Sequence, residues 1–193
     1  MTAEREILVH AEEELPEALY EQIRALERQA WPGDPREPLR EPRHDPALHP
    51  VSMVLVEAGR VLASLDILSK EIEHAGERYA ASGLSTVVSD EAFRGRGHGR
   101  HLVSAAREAI AAGGADLGIF TCDRPLRPFY ESAGWTMVPG AVLVGGTPDE
   151  PFSSDQWDKV TLAAFFTEKA LRGAHSFVES RIELHSGSVD KLW

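Results

Sequence analysis

The sequence predicts a mixed α/β domain of the α+β kind, a layer of strands with helices packed on it. Three observations predict it. Helix-like and strand-like apolar periodicities follow one another in the order helix, strands, helix, strand, helix, strands. The chain has 193 residues, 42% hydrophobic and 26% charged, which suits one well-buried domain. No apolar run approaches the roughly 18–20 residues that a membrane-spanning helix needs.

Each element has its own signal. Residues 15–31 read as a helix, with Pro16 in the first turn and Leu15, Leu19, Ile23, Leu26 and Ala30 on one face. Residues 31–50 hold six prolines, too many for a helix or a central strand, and read as a long loop over a site. Residues 51–57 and 60–69 read as two strands joined at Ala58-Gly59, and 78–89 as a third strand with small residues in its middle. An Ala-rich helix follows from about residue 101 and stops at Gly113-Gly114. Residues 115–122 form a buried type of strand, and 124–135 a short helix stopped at Gly134. Residues 135–144 read as one or two strands broken at Pro139-Gly140, 146–156 as loop, and 157–166 as a strand or a buried helix. Residues 176–185 alternate like an edge strand, and the last eight residues read as a tail or loop. There is no internal repeat.

Charge and composition exclude several functions. There are 20 Lys and Arg against 31 Asp and Glu, a net charge of −11. Such a surface repels nucleic-acid backbones and attracts small cations. The single cysteine, Cys122, excludes an internal disulfide framework. There is no asparagine, hence no glycosylation sequon. Glu4, Arg5 and Glu6 stand where a signal peptide would carry an apolar core, so a cytoplasmic location is expected. The eight histidines make no H-x-x-x-H or H-E-x-x-H pair, so no metal is expected.

The strongest local signal is Arg94-Gly95-Arg96-Gly97-His98-Gly99-Arg100, between a strand and a helix. Glycines let backbone approach a ligand, and the free N–H groups of a helix start suit a phosphate. Arginines add charge. The Rossmann fingerprint fails at Arg100, and a P-loop fails because no Lys-Ser/Thr follows.

Arg94-x-x-Gly97-x-Gly99 resembles the Q/R-x-x-G-x-G/A pyrophosphate loop of the GNAT acyltransferases. The strand Leu84-Ser85-Thr86-Val87-Val88 precedes it as in that family, and Pro128-Phe129-Tyr130-Glu131-Ser132-Ala133-Gly134-Trp135 resembles the family's F-Y-x-x-x-G-[FW] element. The likeness spans roughly residues 15–145. It implies an acetyl-CoA-dependent N-acetyltransferase in which residues 1–193 form one domain. It also implies a mixed sheet of six to seven strands with splayed parallel strands and about four flanking helices.

The resemblance also implies site residues. Arg94, Gly95, Arg96, Gly97, His98, Gly99 and Arg100 hold the pyrophosphate. Thr86, Val87 and Val88 offer main-chain groups to the pantetheine arm, and an N–H near Val87 polarises the acetyl carbonyl. Tyr130 is the candidate general acid for the departing thiolate. Relatives often carry a Glu on the preceding strand. Here Ser82, Ser85 and Thr86 occupy that region, and Ser85 is a candidate for holding a relay water. Cys122 has no His-Asp set beside it and reads as a small buried thiol.

The chain length, Thr121-Cys122 and the final Trp193 resemble the aminoglycoside 2′-N-acetyltransferases. That likeness implies an acceptor site made by Ser85, Thr121, Trp193 with its carboxylate, and Asp45, Asp149, Asp155 and Asp158, completed by loop 31–50 and residues 146–193. The expected partner is a small cationic amine, an amino sugar first. No nucleic acid or membrane partner is expected, and a homodimer is left open. Other amines, or a non-catalytic acyl-CoA-binding module, are the competing readings.

Overall fold

The computed structural model describes residues 5–33 and 42–193. Its centre is a seven-stranded sheet in the order β1 (Arg5–Ala11), β2 (Val51–Glu57), β3 (Arg60–His74), β4 (Glu77–Ser89), β5 (Leu117–Asp123), β9 (Lys159–Phe165) and β6 (Thr136–Met137). A second, three-stranded sheet has the order β10 (Arg181–Glu183), β7 (Val142–Gly146), β8 (Pro151–Ser153). The helices are α1 (Glu17–Ala30), α2 (His98–Ala112), α3 (Arg127–Ser132) and α4 (Glu168–Gly173). None among the described residues is long and apolar enough to cross a membrane.

Two tight turns set the β2–β3–β4 meander. Ala58-Gly59 and Ala75-Gly76 both have positive φ at both residues, 50° and 77°, then 51° and 80°. That geometry matches the twist of a two-residue hairpin. It carries β3 five residues past the expected end at Ser69.

The sheet is covered on both faces, so its middle strands are apolar throughout rather than alternating. Residues 52–56 of β2 are all buried. α1 buries Ile23 and Leu26 against Val54, Val56, Val61 and Val88. α2 buries Leu102, Val103, Ala106 and Ile110 in the main core.

Several expectations need correction. Arg5–Ala11 is a strand, with Arg5 paired to Glu57 at 2.8 Å; its charges had masked a sheet edge. Residues 159–165 settle as strand, inserted between β5 and β6. Within 146–156 lies the short β8, and α4 was not foreseen. Of the expected edge strand 176–185 only Arg181–Glu183 pairs, parallel to β7. Phe177 instead closes a short helical turn and packs fully buried against Tyr79 and Phe165. The last eight residues are no loose tail, since Asp190, Leu192 and Trp193 are buried. In the Pro-rich loop 31–50, residues 34–41 lie outside the described residues.

Candidate active site

The parallel strands β4 and β5 pair only at Ala81↔Leu117 and Ser82↔Gly118. Beyond that point β4 stays with β3 and β5 stays with β9, so the two fork apart. Trp193 sits at the fork. Its indole N–H donates to the Ile119 carbonyl of β5 at 2.9 Å, and its ring lies so close to Gly83 of β4 that any Cβ there would meet Nε1 at 2.2 Å.

Three residues beyond Gly83, at Thr86, β4 bulges. Ser64 pairs with Val88 and Asp66 with Ser85, leaving Thr86 and Val87 opposite Leu65 alone. Thr86 has φ 46°. A left-handed conformation costs a β-branched residue roughly 1–2 kcal/mol, so something must hold it there.

That something is Asp66. Its carboxylate accepts from the Thr86 hydroxyl, from Ser52 Oγ at 2.6 Å, from Arg43 Nη1 at 3.2 Å and Nη2, and from His44 Nε2 at 3.1 Å. His44 Nδ1 donates in turn to Asp190 at 2.7 Å, and Arg43 also reaches Glu27 at 2.8 Å. Asp66 is 2% exposed and His44 1%. Burial alone would push the Asp66 carboxyl up, but Arg43 and the hydrogen bonds from His44 and Ser52 outweigh it and hold it well below the usual range. Burial likewise opposes charge on His44, yet its bonds to Asp190 and Asp66 lift it to about 9. Both groups are therefore charged at neutral pH, and neither is a ready general base. Sequence reading missed this cluster. Its one signal was Asp66 alone inside the apolar run of β3.

The glycine loop divides into two roles. Gly95 (φ 77°) and Gly97 (φ 81°) take left-handed conformations and face open space. Gly97 starts α2, and no side chain caps that helix, so its first amides are available to an anion. Gly99 is different, because a Cβ there would stand 2.9 Å from Ser89 Oγ and 3.3 Å from Phe129. A side chain at Gly99 would disturb the packing of α2 on β4. Arg94 pairs with Glu91 at 3.3 Å, Arg96 lies over the Phe93 ring at 4.9 Å, and Arg100 is exposed. His98 is 5% exposed, its ring 6.5 Å from that of Phe93.

Tyr130 is buried on α3, edge-on to Phe120 at 5.1 Å and Phe129 at 4.9 Å. Its hydroxyl has no hydrogen-bond partner among the described residues. Burial, then Cys122 and Asp123 nearby, pushes its ionisation well above the ordinary phenol value, so it keeps its proton. Burial pushes the Cys122 thiol up to about 11, away from nucleophile chemistry. Ser85 and Thr121 are half-buried on β4 and β5.

The aspartates do not meet. Asp45 caps the turn 46–48 through Ala47 N at 2.9 Å, and its own N–H donates to Asp190 at 2.9 Å. Asp155 holds Arg181 at 2.9 Å, Asp158 holds Arg124 at 2.7 Å, and Asp149 is exposed. Acidity gathers elsewhere. A cavity of about 700 Å³ between the end of β1, α1 and residues 42–51 is lined by Glu12, Glu13, Glu17 and Glu21, with Tyr20 and Arg43. Burial raises the Glu12 carboxyl above its usual range.

A family model for the acetyltransferase (GNAT) domain matches residues 13–138. No curated protein matches. Among solved structures, YhbS of Escherichia coli, a GNAT family N-acetyltransferase in complex with CoA, is 20% identical with a TM-score of 0.61, over 96% of this chain and 91% of that one. ElaA of Escherichia coli is 18% identical with a TM-score of 0.58, over 83% and 99%. An acyl-CoA N-acyltransferase of Pseudomonas aeruginosa is 17% identical with a TM-score of 0.57, over 83% and 99%. At these identities the likeness is one of fold.

Proposed function

Since this chain belongs to the GNAT family of acetyltransferases, we propose that it transfers acetyl from acetyl-CoA to a primary amine of a small cationic molecule, an aminoglycoside-type amino sugar being the first candidate. The observation that carries the reading is the β4–β5 fork, with a bulged strand on one side and the uncapped start of α2 at its far end.

The chain's groups fit the donor. The first amides of α2, with Arg94, Arg96 and Arg100, suit the pyrophosphate. The edge of β4 beyond Gly83 and the Trp193 ring, unpaired with β5, suits the pantetheine amides as an added strand. Acetyl-CoA supplies an acetyl group activated as a thioester. The N–H groups at the Thr86–Val87 bulge polarise its carbonyl. The amine nitrogen bonds to that carbon, the carbon–sulfur bond breaks, and Tyr130 gives its proton to the departing sulfur. The amine's own proton leaves to water, with Ser85 as the nearest candidate to hold one. The phenol is then reprotonated from solvent.

Two features support a cationic acceptor. The net charge is −11, and four glutamates line the cavity that Arg43 connects to the bulge. Opposite charges in a partly dry cleft attract, and salt screens them. The test is thiol release from acetyl-CoA across amino sugars, polyamines, amino acids and peptide N-termini at two salt concentrations. The expected result is turnover of an amino sugar with a KM that rises with salt. Efficient acetylation of neutral or anionic amines, with amino sugars inert, removes the acceptor assignment and leaves the transferase. Absence of turnover together with tight acetyl-CoA binding favours a non-catalytic module.

A further inference from the structure

We infer that Asp66 is a positioning residue for the transfer reaction, holding the β4 bulge in shape through the Thr86 hydroxyl and tying that bulge to the acceptor side through His44 and Asp190. The inference rests on the proposed acetyl transfer for its kinetic arm only.

Three observations meet at this carboxylate. It sits on β3 directly across from the bulge, in register with Ser85. It accepts the hydroxyl of Thr86, whose φ of 46° is a conformation that a β-branched residue rarely holds unaided. Its remaining lone pairs are taken by Arg43, His44 and Ser52, so it has no freedom to turn away.

The consequence is directional. Bulge amides point where the flanking dihedrals send them, and those dihedrals are set by one hydrogen bond to a fixed acceptor. Pre-aimed donors lower a barrier because they need not reorganise during reaction. The same carboxylate binds Arg43, which lines the glutamate cavity, and His44, which grips Asp190 three residues before Trp193. One buried anion thus aligns the amides, the loop at 42–45 and the segment that ends at the fork. It makes no contact with a reacting atom and stays ionised throughout.

Asp66→Asn disturbs two buried cations and risks the fold, so the sharper variant is Thr86→Val, which keeps shape and removes one O–H. Thr86→Ser is its partner, keeping the hydroxyl. Two measurements suffice. Amide hydrogen exchange at residues 86–88 is expected to quicken at least tenfold in Thr86→Val and to stay near the native rate in Thr86→Ser, with α2 unchanged in both. Steady-state kinetics is expected to show kcat down roughly 10- to 100-fold in Thr86→Val at an unchanged KM for acetyl-CoA, as for a lost interaction made in the transition state. Thr86→Ser should recover most of that turnover. Unchanged exchange at 86–88 in Thr86→Val overturns the inference whatever the activity. A serine variant as slow as the valine variant also overturns it. Loss of the proposed transferase reading itself would show instead as a wild-type chain without turnover, while the exchange comparison still decides the role of Asp66.

Discussion

A single methyl group at Gly83 should cost almost as much stability as removing the indole of Trp193, and the two changes should not add. Gly83 lies in β4 in an ordinary extended conformation, so alanine meets no backbone strain there. Its Cβ, however, would stand 2.2 Å from Trp193 Nε1 and 2.6 Å from Cδ1 and Cε2, so the ring must leave. Trp193 is 8% exposed. Burying a tryptophan removes about 200 Å² from water, worth about 5 kcal/mol at full exposure of the ring. The bond to Ile119 contributes about 1 kcal/mol more. A displaced ring keeps part of its contacts, which brings the expected cost of Gly83→Ala to about 2–4 kcal/mol. For a chain of this size that lowers Tm by about 6–12 °C. Trp193→Ala should cost about 3–5 kcal/mol. In the Trp193→Ala background there is nothing left to displace, and Gly83→Ala should be close to neutral. The coupling energy should therefore nearly equal the whole cost of Gly83→Ala. Urea unfolding followed by circular dichroism on the four proteins measures it. Additive costs, or a Gly83→Ala protein within about 0.5 kcal/mol of native, would show that the indole does not occupy the fork.

Tyr130→Phe should lower kcat roughly 10²–10⁴-fold with acetyl-CoA affinity little changed; wild-type turnover at saturation would return Tyr130 to a packing role. The two loop glycines should fail differently. Gly97→Ala, at φ 81° in open space, should lose roughly 1–2 kcal/mol of stability and weaken acetyl-CoA binding in calorimetry. Gly99→Ala, pressed against Ser89 and Phe129, should lose roughly 1–3 kcal/mol, part of it recovered by Ser89→Ala; equal behaviour of both glycines would contradict the division of roles. Stability should also fall as pH rises. His44 keeps its proton to about pH 9 when folded, against about 6.5 unfolded, so its contribution is complete below pH 6.5 and is lost as pH climbs through 9. The loss is on the order of 3 kcal/mol, read from urea midpoints between pH 6 and 9, and a flat profile would contradict the ion pairing.

How legible the site was depended on the range of each interaction. The glycine loop, the Pro128–Trp135 element and the strand before them were readable because each is a short run of neighbouring residues. A turn that needs φ near 80° announces itself as glycine. The aspartates were misleading for the converse reason. Asp155 and Asp158 sit in acidic loops, yet Arg181 and Arg124 from distant segments neutralise them. The acidic wall formed instead from Glu12, Glu13, Glu17 and Glu21, which only the meeting of the β1 end with α1 and residues 42–51 brings round one cavity.

By itself, the sequence determined the fold class, the Ala58-Gly59 turn, the positions of α1, α2 and α3 and the glycine loop ahead of α2, because periodicity and backbone conformation are local properties. Only the tertiary structure decided where charge is buried and what closes the fork. Asp66 meets residues 43, 44, 52, 86 and, through His44, Asp190. Trp193 meets a carbonyl 74 positions away. A buried carboxylate and a buried indole are stable only when distant partners arrive together, since each left alone would lose water without replacement. No local pattern encodes that meeting.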